Sequence, residues 1–178
     1  MLTEGYKESI KYLAENRIDE IVYNADDEHA VVVLSELIKN ADEYVHIVCK
    51  NMDPKVTEKP DYLNAVKLFL DKESSKELKV LMTDNYKDSF KERKIFKLLE
   101  KYPEKVFIKH LGHEIKTSDD TPINWTVSDD RAFRLEKDIE NYIAFGNFNA
   151  PNFAKKFNGH FEVFFAKGKP FSRTTVNL

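Results

Sequence analysis

The segment 129–136 concentrates acidic and basic side chains that could bind an anion. If 132–136 is a β-strand, alternation places Arg134 and Glu136 on one face and apolar residues on the other. Arg134 could then bind a phosphate or a carboxylate through charged hydrogen bonds, with Asp129 and Glu136 orienting it. A solvated or salt-bridged hairpin, in which each exposed pair contributes only ~0–1 kcal/mol, fits the same pattern. Both interpretations stay open at this point.

A second polar segment, 146–151, has the composition of a turn that leads from a strand into a helix. The backbone amides of such a turn can bind an anion at the helix N-terminus. The same residues also suit helix entry alone, because glycine, asparagine and proline are favoured in turns. Together the two segments define a candidate anion-binding or phosphate-binding site made of Asp129, Arg134, Glu136, Asn147 and Asn149.

Other chemistry-bearing residues give little support for a metal site or for acyl transfer. His110 and His113 lie near Glu114, but this spacing is not a zinc-ligand pattern, and Cys49 is the only cysteine. Cys49 falls in a predicted buried strand, where a thiol is usually inert, and no Gly-x-Ser-x-Gly motif occurs. We therefore predict no metal and no cofactor, and the sequence identifies no catalytic residue.

Composition and charge favour one folded domain spanning residues 1–178. The chain is 42% hydrophobic with 13 Phe, 5 Gly and 6 Pro, so it can form a substantial core. Its 28 Lys and Arg against 31 Asp and Glu give a net charge of −3. No strong overall field therefore attracts nucleic acid, but nucleic-acid binding through a local basic patch stays undecided. No segment is apolar over the roughly 20 residues of a membrane span. The first residues lack a secretory pattern, so we expect a cytoplasmic location.

Helical and strand patterns alternate through the first two thirds of the chain. Apolar residues spaced by three and four predict helices near 6–18, 26–40, 60–70 and 90–99. Short, largely apolar runs predict strands at 44–49, 78–82 and 106–111. Thr3 is expected to cap the first helix, and Asn40 to close the second. Because helices connect these strands, we expect a largely parallel sheet that is covered on both faces.

The last third of the chain has a different pattern. After a polar loop over 112–122, short runs at 124–127, 132–135 and 143–148 predict antiparallel hairpins. Asn149 is expected to cap a brief helix, and Phe161–Ala166 to form a last strand. The predicted fold class is therefore α/β, with one mixed sheet that is parallel in its first half, antiparallel in its second, and flanked by helices.

The order of these elements and the last third of the chain resemble a single phospholipase D-like domain. That superfamily carries the signature H-x-K-x4-D, followed by a glycine- and asparagine-containing turn and a helix. The pair Asp129-Asp130 and the turn from Gly146 to Asn149 match this pattern. With Asp129 on the signature acid, however, the His and Lys positions fall on Pro122 and Asn124. The register of Asp130 gives Ile123 and Trp125 instead, and none of the five histidines is followed two positions later by lysine.

The resemblance implies a reaction in which a histidine attacks phosphorus and a lysine stabilises the developing charge. Neither group stands at its position here, so we expect a degenerate member that acts as a binding, dimerisation or regulatory module. Because phospholipase D-like domains usually work in pairs, the resemblance also implies a homodimer. A phosphate-containing ligand or a protein partner would suit such a module.

Two further hypotheses remain open. The first is a phosphodiesterase or nuclease with a rebuilt site, in which His113 or His160 works with Asp129 and Glu136 as acid and base. The second is a purely structural subunit. The two differ in whether the charged side chains converge on one pocket, which the sequence alone does not show.

Overall fold

A computed structural model describes residues 3–85 and 88–171 of the chain. Within these ranges one or two helical segments precede each strand as far as β4, and three consecutive strands and a long helix follow. The elements are α1 (Glu4–Glu15), β1 (Val22–Ala25), α2 (Asp27–Lys39), β2 (Tyr44–Cys49), α3 (Pro54–Thr57), α4 (Pro60–Asp71), β3 (Glu77–Met82), a 3₁₀ turn (Asp88–Glu92), α5 (Lys94–Leu99), β4 (Val106–His110), β5 (Asn124–Ser128), β6 (Ala132–Asp138), β7 (Ile143–Asn147), α6 (Pro151–Lys167) and β8 (Lys169–Pro170).

The strands form one eight-stranded mixed sheet with the order β1-β7-β6-β5-β2-β3-β4-β8. Strands β2, β3 and β4 are parallel, whereas β2 pairs with β5, β5 with β6, and β6 with β7 in antiparallel fashion. The predicted division into a parallel first half and an antiparallel second half is therefore confirmed. Strand β1, which the sequence patterns did not identify, pairs with β7 at the edge.

Helices cover both faces of the sheet, as predicted. Ile47 and Val80 lie on one face, in a core shared with α2, α4 and α5. Leu81 and Trp125 lie in a second core, which Phe161 of α6 covers. Among the described helices, none has the length and apolar character that crossing a membrane requires.

The start of α1 and the end of α2 lie at the residues predicted for them, Thr3 and Asn40. The side chain of Thr3 accepts a hydrogen bond from the backbone of Tyr6 and caps α1. Oδ1 of Asp26 accepts one from the backbone of His29 at 2.7 Å and caps α2, which ends at Asn40. These side chains satisfy amides that a helix start leaves without a partner, so local sequence sets these boundaries.

The prediction of a brief helix and a final strand after residue 149 is wrong, because one continuous helix, α6, spans Pro151–Lys167. Phe157, Phe161 and Phe165 recur every four residues and pack against one face of the sheet. Gly159 did not end the helix, and a Cβ there would meet no atom within 4 Å. A glycine inside a helix costs only about 1 kcal/mol relative to alanine, which the buried aromatic face offsets. The N-cap is Ala150 rather than Asn149, and no side chain caps this helix.

Candidate functional site

A cavity of about 90 Å³ lies where β2 ends, between the sheet and helices α2, α3 and α4. Its wall is mainly apolar, with contributions from the side chains of Ala30, Leu34, Ile47 and Val56. Its polar lining includes Lys50, Asp53, Asn124, Arg134 and Glu136. The cavity therefore joins an apolar wall to a cluster of charged and amide groups.

A buried ion pair dominates the polar lining. Arg134 and Glu136 are two residues apart on β6, so they share one face, and they are only 4% and 6% exposed. Nη2 of Arg134 donates to Oε1 of Glu136 at 2.9 Å, and Nε donates to Oδ1 of Asn24 at 3.1 Å. The hairpin is therefore salt-bridged, as one interpretation of the sequence held, but this pair is not solvated.

Asn124 extends the pair into a network. Strand register places Asn124 of β5 opposite Glu136 of β6, and its Nδ2 donates to Oε2 of Glu136 at 2.8 Å. The carboxylate only accepts, so this bond fixes the orientation of the amide and leaves Oδ1 as an acceptor. Oδ1 is buried and has no hydrogen-bond partner among the described residues. With Asp129 on the signature acid, Asn124 is also the residue on which the expected Lys position of the phospholipase D-like signature falls.

Asp129 lies outside this cavity and has a structural role. Its carboxylate accepts hydrogen bonds from the backbone amides of Asp42, Glu43 and Tyr44 at 2.6, 2.8 and 3.0 Å. These bonds tie the turn between β5 and β6 to the start of β2. Asp129 and Asp130 both have positive φ angles, 54° and 48°, which aspartate tolerates better than most residues.

Asn147 and Asn149 are also separate from the cavity. Asn147 lies next to Gly146, which pairs with Arg134, so its side chain points to the opposite face of the sheet. Its Nδ2 donates to Asp19 at 2.7 Å, and its Oδ1 accepts from the backbone of Asn149 at 2.8 Å. The structure therefore brings together only Arg134 and Glu136 of the five predicted ligand-binding residues.

Gly146 serves strand packing rather than an anion turn. A Cβ at this position would lie 2.6 Å from the backbone oxygen of Phe133 on β6. Only glycine allows the two strands this close approach. The match to a glycine-containing signature turn is thus explained by local packing.

One thiol and two phenol groups at the cavity wall hold their protons firmly. Burial raises the pKa of the Cys49 thiol to about 12. Burial also raises the pKa of Tyr62 well above its ordinary value. Tyr142 donates to Oδ2 of Asp53 at 2.6 Å, and burial together with this bond raises its pKa. None of these three groups is prepared to act as a nucleophile or base near neutral pH.

The structure does not assemble the acid and base set of the rebuilt-enzyme hypothesis. His113 is exposed in the loop after β4, and three strands separate β4 from β6, where Glu136 lies. His160 is exposed on α6, which covers the face of the sheet opposite the cavity. These histidines therefore do not converge with Glu136 and Asp129.

A second polar cluster, away from the cavity, surrounds His46. Nε2 of this buried ring lies 2.8 Å from Oε1 of Glu77, and Nδ1 lies 2.7 Å from Oδ1 of Asn158. His46, Glu77 and Glu162 are close enough together to hold a metal ion. However, Nζ of Lys79 lies 3.0 Å from each of the two carboxylates. This ammonium group already supplies the balancing cation, so we interpret the cluster as an ion-pair network.

Three further residues, none of them among the predicted site residues, build or support the cavity. Asn24 of β1 bonds Arg134, and Asp53 and Tyr142 close one side of the cavity. Asn24 occupies a buried position in the alternating pattern of β1, so identifying that strand would have marked it as a buried polar residue. Asp53 and Tyr142 lie in connecting segments, where no periodic pattern exists.

Comparison with known proteins gives a family and a fold. The family described as "Domain of unknown function (DUF7931)" matches residues 26–174. No curated protein matches the sequence.

Solved structures share the fold at low sequence identity. NucT from Helicobacter pylori has a TM-score of 0.60 and 14% identity, with coverage of 86% of this chain and 100% of NucT. Nuc from Salmonella typhimurium, described as a phospholipase D family member, has a TM-score of 0.54 and 11% identity, with coverage of 85% and 99%. These similarities confirm a phospholipase D-like fold.

A third similar structure is a larger protein. TrmBL2, described as an archaeal chromatin protein with a novel mode of DNA binding, has a TM-score of 0.62 at 14% identity. The match covers 94% of this chain but only 62% of TrmBL2. At this identity the similarity shows a shared fold and nothing about ligands.

Proposed function

The chain belongs to the DUF7931 family of domains, and we propose that it is a catalytically degenerate phospholipase D-like domain that binds a ligand instead of cleaving one. The cavity at the end of β2 is the proposed binding site. The observation that carries the proposal is the side chain of Asn124, which stands at the signature Lys position and bonds Glu136 at 2.8 Å. An amide held in this way supplies no positive charge to a phosphoryl transition state.

The missing nucleophile supports the same conclusion. Pro122 stands at the signature His position, and none of the cavity-lining residues is a histidine. The Cys49 thiol could replace an imidazole only as thiolate, and burial raises its pKa to about 12. The one strong cation deep in the site, Arg134, already has Glu136 as its partner. The groups that phosphodiester cleavage needs are thus replaced or neutralised.

The sequence suggested a residual phosphate pocket, and the cavity offers partial support for it. Arg134 and Lys50 are the cations that a phosphate could contact. Asp129 and Asn147 would not contribute, because their side chains bond other parts of the fold, and Asn149 does not line the cavity. Phosphate would also have to compete with the carboxylate of Glu136 for the same guanidinium group.

A turnover assay tests the absence of catalysis. Purified protein is incubated with bis-(p-nitrophenyl) phosphate, with DNA, with RNA and with phospholipid, beside an Arg134→Ala variant. We expect the wild-type rate to equal that of the variant and that of buffer. Hydrolysis by the wild type that disappears in Arg134→Ala would show an enzyme and overturn the proposal.

We also propose a homodimer, which rests on the family resemblance. Light scattering after size-exclusion chromatography should give about twice the chain mass of 20.8 kDa. A mass of one chain across the accessible concentration range would remove this part of the proposal and leave the binding site untouched.

A further inference from the structure

The charges around the cavity cancel. Lys50 and Arg134 supply two positive charges, and Asp53 and Glu136 supply two negative charges. Arg134 and Glu136 are paired at 2.9 Å, and both side chains are nearly fully buried. An anion bound to Arg134 would displace Glu136 and leave a buried carboxylate without its partner, which is strongly unfavourable. The cavity therefore disfavours a charged ligand.

Two polar groups in this setting still have hydrogen-bonding capacity. Asn124 lines the cavity and is 8% exposed, and its Oδ1 has no partner among the described residues. Arg134 donates through Nε and Nη2, and the hydrogen bonds found among the described residues do not use its Nη1. A buried acceptor without a partner is costly, so a ligand that donates to it gains binding free energy. One acceptor and one donor are thus unused at the two ends of the network that the carboxylate of Glu136 joins.

The apolar wall and the volume of the cavity determine the chemistry and size of the rest of the ligand. Leu34, Ile47 and Val56 present aliphatic surface, and the cavity volume is about 90 Å³. Such a wall binds an apolar group through the hydrophobic effect. The size suits a molecule of a few heavy atoms, or one end of a larger molecule that extends through the opening.

From these observations we infer that the cavity binds an uncharged molecule whose polar edge carries a hydrogen-bond donor beside an acceptor, as an amide or a lactam does. The donor of the ligand donates a hydrogen bond to Oδ1 of Asn124, and its acceptor accepts one from Nη1 of Arg134. The apolar part of the ligand packs on Leu34, Ile47 and Val56. This inference rests on the proposed function, because it names the ligand class of the same binding site.

Three probes of matched size test the inference on the wild-type protein. 2-Pyrrolidinone carries the donor and the acceptor. Cyclopentanone is a five-membered ring of similar size that has the carbonyl acceptor but no N–H donor, and inorganic phosphate is the anion. The methyl groups of Ile47 are convenient reporters in an NMR titration, because Ile47 lies on the cavity face of the sheet and lines the cavity. The side-chain amide of Asn124 is a second reporter. We expect saturable shifts with 2-pyrrolidinone, about tenfold weaker binding of cyclopentanone, and no saturable shift with phosphate.

A matched pair of variants locates the binding. Asn124→Leu removes the free acceptor at similar size, and Asn152→Leu makes the same change at an exposed position of α6, on the other face of the sheet. We expect Asn124→Leu to weaken 2-pyrrolidinone binding about tenfold, and Asn152→Leu to leave it within about twofold. The probe series on the wild type stands even if Asn124→Leu fails to fold.

The contrary outcomes separate the two proposals. Equal binding of 2-pyrrolidinone and cyclopentanone, saturable binding of phosphate, or no saturable shift with any probe would overturn the inferred ligand class. None of these results requires catalysis, so the degenerate-domain proposal would survive them. Turnover of a phosphodiester would overturn that proposal instead.

Discussion

Oε1 of Glu136 accepts a hydrogen bond from Nη2 of Arg134 at 2.9 Å, and the two side chains are almost fully enclosed between the sheet and its helices. Removing one partner leaves the other charge buried and unpaired. We therefore expect Glu136→Leu to lower the free energy of unfolding by about 3–5 kcal/mol, measured by urea denaturation.

Two controls isolate the ion pair. The double variant Arg134→Leu with Glu136→Leu removes both charges and should recover most of the lost stability. Glu15→Leu breaks the exposed pair with Lys11, whose atoms lie 3.9 Å apart, and should cost less than about 1 kcal/mol. A double variant no more stable than Glu136→Leu would contradict this account.

Asp129 is expected to matter for stability through the three backbone amides that it binds. Asp129→Gly removes these charged hydrogen bonds, and glycine tolerates the positive φ angle of 54°. We expect a loss of roughly 2–4 kcal/mol in thermal or urea unfolding. Asp120→Gly is the matched control, because Asp120 also has a positive φ but its side chain is 85% exposed. Similar losses in both variants would show that backbone entropy, and not the amide bonds, is responsible.

The network around His46 predicts a contribution to stability that is lost in acid. Burial raises the pKa of Glu77, but hydrogen bonds from Lys79 and His46 outweigh it, so the pKa lies below the ordinary value. A carboxylate with a lowered pKa in the folded state stabilises the protein above its unfolded pKa of about 4.3. That contribution is lost as the pH falls through the lower folded-state pKa. Glu77→Gln should therefore flatten the acid limb of a stability profile, whereas Glu73→Gln, at an exposed position, should not.

Cys49 should be nearly unreactive while the chain is folded. Its thiol pKa is raised by burial to about 12, so very little thiolate exists near neutral pH. An unfolded cysteine has a pKa of about 8.5, so alkylation by iodoacetamide should be roughly a thousandfold slower in the native protein than in urea. Mass spectrometry follows the single thiol directly. Rapid native labelling would show that the cavity wall opens readily at this strand.

Sequence alone determined the features that depend on neighbouring residues. Thr3 and Asp26 cap their helices because a cap needs only a side chain close to the first amides. The strand Tyr44–Cys49 was recognisable because a strand buried on both faces has a largely apolar run, which only His46 interrupts here. The missing His and Lys of the signature could likewise be read from single positions, and this alone predicted a degenerate site.

Tertiary structure alone decided which polar residues meet. Arg134 bonds Asn24, which is 110 residues away in the chain, because β1 joins the sheet beside β7. Asp129 lies apart from Arg134, although the two are only five positions apart in the chain, because Asp129 binds the amides at the start of β2. The final aromatic segment became a helix because its phenylalanines could cover an open face of the sheet. Periodicity fixes the face that a side chain occupies, but strand order and packing fix its neighbours, and those depend on the free energy of the whole fold.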